Sequence, residues 1–423
     1  MSGARRARIA WAFYDWANNG YMTVIQTFVF ATYFTRQVAA DAATGTTQWG
    51  HTIAAAGLLV ALVGSLAGAI ADQGGRRKPW LAAFTLFSVL ATAGLWSVRP
   101  DGADVPRALT LVLLATIGAE LAAIFYNAML TAIAPAAQVG RWSGLGWGLG
   151  YLGGLLCLLL ALFAFVGDDA WFALDRATAG HVRAACLLAA AWYGFFALPL
   201  FLFTPDSSGA RVPLARAAGR GARQLAATLR NARRYAGIGR FLLARMFYID
   251  GLATVFAFGG VYAAGTFAMD EGDVLRFGIA LSATAGAGAW LFAGIDDRIG
   301  AKRTIVITLS GLLATAVLAV TAQAAWQFWA AGMALGVFVG PVQAASRSYL
   351  ARVAPPSLVN EMFGLYALAG KATAFLGPFL VASVTAATGS QRAGMSVVLA
   401  FLVTGLVLLA GVPSDRGEAP RAR

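Results

Sequence analysis

Twelve stretches of roughly twenty mostly apolar residues, set out as two halves of similar sequence, constrain this chain more than any other feature. A hydrocarbon core about 30 Å thick takes about 20 helical residues to cross. Backbone groups in lipid must be satisfied within the segment, so spans of this kind are helices. The first half gives spans near 9–36, 51–72, 79–98, 107–133, 142–166 and 182–204. The second gives spans near 240–266, 276–295, 303–323, 326–350, 361–385 and 393–412. At 59% hydrophobic and 12% charged, the composition excludes a cytosolic or secreted globule.

Basic residues sort by side. Roughly 22 arginines and lysines flank the spans on the side of the N-terminus and about 7 on the other, which predicts that both termini face the cytoplasm. The net charge of +13 therefore reads as a topology signal. No nucleic-acid role is expected, because the basic residues lie on short loops without a recognition motif. Met1 to Arg8 looks like the basic region of a signal peptide, yet the following segment is too long and contains Asp15, so it reads as a retained first span. Cys157 and Cys186 fall inside spans, where small apolar packing is the expectation. His51 and His181 sit at span ends without a ligand cluster, so neither a metal nor another cofactor is expected.

The hydrophobic pattern breaks between Thr204 and Arg240, at Pro205, Pro213 and a run of arginines that includes Arg211, Arg216, Arg220, Arg223, Arg230, Arg233 and Arg234. Most share one helical face, which predicts a basic amphipathic helix on the anionic inner leaflet. The predicted organisation is a six-helix bundle over 1–204, a cytosolic basic linker over 205–239 and a second six-helix bundle over 240–423. Three repeats support it. Asn19, Gly20, Thr23 and Val24 recur as Asp250, Gly251, Thr254 and Val255. Asp72, Gly75, Arg77 and Lys78 recur as Asp297, Gly300, Lys302 and Arg303. Leu130, Ala134, Pro135, Gly144, Leu145 and Gly150 recur as Leu350, Ala354, Pro355, Gly364, Leu365 and Gly370. The offset falls only from 231 through 225 to 220 along the chain. Such duplication predicts a substrate path between the halves near the midplane.

Gly68, Asp72, Gly75, Arg76, Arg77 and Lys78 together resemble the loop signature of the major facilitator superfamily, and the resemblance covers the whole chain. A narrower likeness rests on the run from Tyr14 to Tyr21 and on Ser143, Gly144, Gly146, Trp147, Gly150, Tyr151, Gly153 and Gly154. Gly340, Pro341, Gln343, Ser346 and Arg347 add to it, as do Phe363, Gly364, Tyr366, Gly370, Lys371, Gly377 and Pro378. These resemble the "unknown major facilitator" family, related to the fungal autophagy-related vacuolar amino-acid effluxer. The resemblance implies an all-α integral membrane protein with the major facilitator fold, twelve helices in two pseudo-symmetric bundles, and amino-acid export. A monomer is the family expectation. Gln73 stands where a basic residue is usual, and Ala301 stands where the first motif has Arg76.

Ionisable groups within the membrane are costly and are functional candidates by default. Here they are Asp15, Glu120, Arg245, Asp250, Arg347 and Lys371. Asp15 lies among Asn18, Asn19 and Tyr21, and is read as a proton or substrate group or as a carboxylate pairing with a neighbouring helix. Tyr248 and Asp250 are expected on the cavity wall. Arg245, five residues before Asp250, points elsewhere around the helix and is read as structural. Glu120, with Asn127 onward on its face, is the proton-site candidate; the alternative is a permanently neutral glutamic acid. Gln343 and Arg347 share a face; Arg347 is read either as snorkelling to the near cytoplasmic end or as a fork for a carboxylate, of the substrate or of the protein. Lys371 either needs an anionic partner, Asp15, Glu120 or a substrate carboxylate, or must give up its proton. Tyr366 completes the pathway set. Gly68, Asp72, Gly75, Arg76, Arg77, Asp297, Arg298 and Gly300 are expected to latch the inward side by charge pairs to neighbouring helix ends. The glycine runs at 144–154, 259–260 and 286–288 read as helix-packing surfaces and not as phosphate loops.

The predicted function is a secondary transporter in the plasma membrane. It would move a small polar solute, an amino acid or similar zwitterion, by efflux with proton coupling. An exporter of amphiphiles and a ligand-binding receptor that does not transport are the competing readings. No enzyme is expected, since no nucleophile–base set appears.

Overall fold

The computed structural model describes residues 3–415 apart from 75, 168, 207–213, 231 and 270. Gly75 and Arg211 therefore lie outside the described residues. All regular structure there is helical: α1 Gly3–Tyr21, α2 Phe30–Tyr33, α3 Ala42–Gly74, α4 Lys78–Gly94, α5 Val105–Ile133, α6 Val139–Ala161, α7 Gly180–Phe203 and α8 Leu214–Arg230. Then follow α9 Ala236–Phe267, α10 Glu271–Ile299, α11 Ala301–Thr321, α12 Ala325–Val353, α13 Val359–Ala369, α14 Leu376–Thr388, α15 Gln391–Met395 and α16 Val397–Ala410. Among the described residues, 10 helical stretches are long and apolar enough to cross a membrane.

The two remaining predicted spans are helical but interrupted. The first leaves α1 for a π-helical turn over Met22–Phe28, bends at Val29, and passes through α2 into a second π turn over Phe34–Val38. The span predicted at 361–385 divides into α13 and α14. Pro378 has no N–H for the carbonyl of Ala374, and Gly370 marks the end of the first piece, which together favour an interruption here. The short turn between α11 and α12 is resolved by one side chain: Gln327 Oε1 accepts from the Gln323 and Ala324 N–H groups at 2.7 and 3.1 Å.

Buried apolar side chains form two clusters. One is built from α1 to α7, around Trp11, Tyr14, Phe30 and Phe125. The other comes mainly from α9 to α16, around Phe241, Phe328, Tyr349 and Phe363. The halves meet where backbones approach closely, α3 against α13 and α6 against α10. Glycine is required there: a Cβ on Gly68 would lie 2.3 Å from the Asn360 carbonyl oxygen, and one on Gly144 would lie 2.7 Å from that of Ala289. Small residues at such crossings substitute backbone contact for a hydrophobic drive that lipid does not supply.

The basic helix α8 sets its Ala217 and Gly221 face against the end of α3, where a Cβ on Gly221 would meet the Ile70 N–H at 2.7 Å. Arg216, Arg220, Arg223 and Arg230 remain exposed. Its less polar face thus covers protein, a packing not foreseen from charge periodicity alone.

Candidate functional site

Among the described residues, the ion pairs Asp15–Arg347 and Glu120–Lys371 join the halves. Arg347 on α12 places Nη1 2.9 Å from Asp15 Oδ2 on α1, with both side chains nearly enclosed. Each nitrogen of the guanidinium is used. Nε donates to Ser143 Oγ at 2.9 Å, Nη2 to the Ser143 carbonyl at 2.6 Å, and Nη1 also to Asn127 Oδ1 at 3.2 Å. Tyr126 donates its hydroxyl to the same Asp15 oxygen at 2.8 Å. The rings of Trp11, Tyr126 and Trp147 surround the cation with centroids 5.0–5.7 Å away. A planar five-donor fork suits such a site, and a lysine would not.

The second pair is more open. Lys371 Nζ lies 2.7 Å from Glu120 Oε1, with 31% and 19% of their side-chain surfaces accessible. Lys371 belongs to the stretch between α13 and α14, so the break in the helix carries the cation toward α5.

The conserved geometry of the duplicated loops is clearer than their sequence. Asp72, at the end of α3, accepts from the Asn360 and Glu361 N–H groups at 3.2 and 3.0 Å and from Asn360 Nδ2 at 2.6 Å. Asp297, at the end of α10, accepts from the Gly140 and Arg141 N–H groups at 2.8 and 3.0 Å. Each carboxylate thus occupies the N-terminus of a helix from the opposite half, where free N–H groups and the dipole favour an anion. Arg76 reaches Asp206 at 3.4 Å. Arg77 donates to the Ala128 carbonyl at 3.0 Å, and burial lowers its pKa from the ordinary value while Asp72 and Asp206 oppose that shift. Arg298 follows Asp297 in the last turn of α10, and Gly300, with φ of 94°, turns the chain into α11.

The other predicted residues divide. Asn19 lines a cavity of about 370 Å³ together with Tyr151, which accepts from Gln343 Nε2 at 3.0 Å. Asn18 is turned inward with its Oδ1 unpartnered. Tyr21 and Tyr248 are fully enclosed, bonded to Thr116 Oγ1 and Ser346 Oγ at 2.9 and 2.7 Å, so the structure places neither on an open wall. Tyr366 presents its ring to Arg245 at 3.4 Å, and its carbonyl accepts from Arg245 Nη1 at 2.8 Å. Asp250 is 1% exposed and has no hydrogen-bond partner on either oxygen.

Sequence reasoning missed one cluster outright. Arg352 on α12 contacts Asp296, Asp297 and Asp415 at 2.6, 3.0 and 2.9 Å, and Asp296 also accepts from the Ser348 hydroxyl. The signal was present: Asp415 follows the last span as Asp206 follows the sixth. Among the described residues no group of three or more His, Cys, Asp and Glu side chains could hold a metal ion.

Comparison with known proteins agrees with this architecture. The chain is 27% identical over 414 residues to an uncharacterized MFS-type transporter, YxiO, of Bacillus subtilis (strain 168), covering 96% of this chain and 94% of that one. It is 23% identical over 303 residues to autophagy-related protein 22-1 of Penicillium rubens, matching 66% of this chain but only 50% of the fungal protein. Among solved structures, the proton:xylose symporter XylE superposes with a TM-score of 0.75 at 16% identity, over 98% of this chain and 96% of that one. The human organic anion transporter MFSD10 gives 0.75 at 14% identity, over 97% and 100%. Relatives and fold neighbours alike are transporters, not enzymes. Residues 50–421 match the family described as vacuole effluxer Atg22 like, and the chain belongs to that family of multi-pass major facilitator transporters.

Proposed function

We propose that this protein is a secondary transporter that exports a small zwitterion, an amino acid or a close analogue, by alternating access with proton coupling. The observation that carries the reading is the Glu120–Lys371 pair, a partly accessible carboxylate and ammonium that bridge the halves. A zwitterion carries the same two groups. Its carboxylate can replace Glu120 at Lys371 while its ammonium replaces Lys371 at Glu120, so binding unties the halves without stranding a charge. A proton on Glu120 would also release Lys371, leaving its ammonium for the carboxylate of the solute, which links proton and solute. The enclosed Asp15–Arg347 pair and the Asp72 and Asp297 latches then hold the opposite, cytoplasmic end shut. In this reading twelve spans form two six-helix bundles over 1–204 and 240–423, joined by the linker over 205–239. Both termini are cytoplasmic, and the protein works as a monomer in the plasma membrane.

One observation favours a second reading. The cavity at Asn19 is lined mostly by apolar side chains, among them Met22, Phe28, Leu155, Phe256 and Phe277, which would suit an amphiphile.

Counterflow in proteoliposomes separates the two. Radiolabelled amino acids would be tested with wild type, Lys371→Ala and Glu120→Gln, with and without a pH gradient. Exchange of one amino-acid class, lost in Lys371→Ala and insensitive to the gradient in Glu120→Gln, supports the zwitterion reading. Absence of amino-acid exchange by folded protein, with exchange of a labelled amphiphile, replaces it with the second.

A further inference from the structure

Asp250 is one of two buried carboxylates among the described residues with neither oxygen hydrogen-bonded, Glu361 being the other, and it lies beside an interrupted stretch of helix. Its carboxylate is 1% exposed, and neither oxygen has a hydrogen-bond partner. Thr373 stands close enough to act on that carboxylate, yet Thr373 Oγ1 is itself buried without a bonded partner. Thr373 belongs to the interruption between α13 and α14. There, no backbone N–H among the described residues donates to the carbonyls of Gly370 and Ala372. The chain is held against α9 at this level: a Cβ on Gly377 would lie 1.9 Å from Thr254 Oγ1 and 3.4 Å from the Asp250 carbonyl oxygen.

The Arg245 guanidinium, on the same helix, acts on the carboxylate but is otherwise engaged. Arg245 is stacked on the Tyr366 ring and donates to its carbonyl. Lys371 is paired with Glu120. No ion pair to Asp250 is present among the described residues. An enclosed carboxylate without donors is costly in a membrane protein, where such groups mark ion paths. Beside its two oxygens stands the Thr373 hydroxyl, on a stretch of chain whose carbonyls at 370 and 372 lack a backbone N–H donor among the described residues. Oxygen atoms of these kinds coordinate hard cations, and unwound transmembrane helices use their freed carbonyls to do so. With a single carboxylate and the Arg245 guanidinium acting on it, the charge balance favours a monovalent ion over a divalent one.

We propose that Asp250, Thr373 and the freed carbonyls of the 370–375 interruption form a sodium site between α9 and the two pieces α13 and α14. The ion would brace the interruption that carries Lys371 to Glu120. The site goes beyond the transport reading, and its test does not depend on the solute.

The test is thermal unfolding of the full-length detergent-solubilised protein in sodium, potassium or choline chloride at equal ionic strength, at acidic and neutral pH. A ligand that binds the folded state raises the unfolding midpoint. Sodium is expected to raise it by about 2 °C or more over choline, potassium less, and Asp250→Asn and Thr373→Val should remove the difference. Glu120→Gln should keep it, which separates this site from the transport pair. Should Asp250→Asn fail to fold, Thr373→Val and the wild-type ion series still decide. The proposal is overturned by a wild-type midpoint blind to sodium, or by a full sodium shift in both variants. A midpoint that follows pH but not sodium would likewise overturn it, assigning a proton to Asp250 instead.

Discussion

Asp206 and Asp415 do the same work in the two halves. Asp206 accepts from the Arg77 and Lys78 N–H groups at 2.9 and 3.3 Å and so caps α4; Asp415 accepts from the Ala301 and Lys302 N–H groups at 2.8 and 3.1 Å and caps α11. The lysines complete the match: Lys78 Nζ donates to the Phe201 carbonyl and Lys302 Nζ to that of Val412. Each half is therefore closed by its own last segment folding back on its third span.

Loss of such a cap costs about 1 kcal/mol. Asp206→Ala should lower thermal stability by that order. Asp415→Ala should cost more, because its contact with Arg352 at 2.9 Å is enclosed, whereas that of Asp206 with the exposed Arg76 is 3.4 Å long. Unfolding midpoints of the two purified variants, measured together, check the order; equal losses would contradict the extra role of Asp415.

The Asp15–Arg347 pair makes a different demand. Removing one partner of an enclosed pair leaves an uncompensated charge and costs about 3–5 kcal/mol. Arg347→Ala and Asp15→Ala should each be strongly destabilised, and the double variant should recover part of the loss. Arg347→Lys should not restore wild-type stability, since an ammonium cannot serve Asp15, Asn127 and both Ser143 oxygens together. A double-mutant cycle on unfolding midpoints tests this, and additive losses would argue against coupling.

How much of this was legible in the residues depends on what each feature needs. Spans are visible because lipid demands long apolar runs, and the repeat of Asp72 at Asp297 is visible because both loops keep their turn and charge. Pairing is not. Lys371 stood alone as a cation in need of an anion, but which of Asp15 and Glu120 it meets depends on the rotation of helices from different halves. Arg352 passed for an ordinary basic residue at a span end because Asp296, Asp297 and Asp415 come together only in the folded chain. The π turns at Met22–Phe28 and Phe34–Val38 have no proline or glycine to announce them. The docking of α8 was obscured for a related reason, since Ala217 and Gly221 look too small to define a buried face.

Gly68 allows the halves to touch at the latched end. A side chain there would drive into the Asn360 backbone, so Gly68→Val should separate α3 from α13 and favour conformations open at that end. Spin labels on Arg76→Cys and Ser357→Cys, exposed positions beside α3 and α13 on opposite halves, should then report a longer distance than in the glycine background. The native Cys157 and Cys186 are both buried, which keeps labelling at the introduced positions. An unchanged distance distribution in folded Gly68→Val would show that the crossing does not control the closed end.

The linker helix offers an internal control. Gly221 faces Ile70, with only 2.7 Å for a Cβ to the backbone N, whereas Gly219 has nothing within 4 Å of its Cβ position. Gly221→Val should therefore lift α8 from α3 and Gly219→Val should not, although both lose the same glycine from the same helix and gain the same β-branched residue. Arg216, Arg220 and Arg223 are exposed on α8, and trypsin cleaves them only when the helix opens locally. Cleavage within 214–230 should become several-fold faster in Gly221→Val and stay near the wild-type rate in Gly219→Val. Equal acceleration in both would place the effect in helix propensity, and the docked face of α8 would then contribute nothing to holding the linker in place.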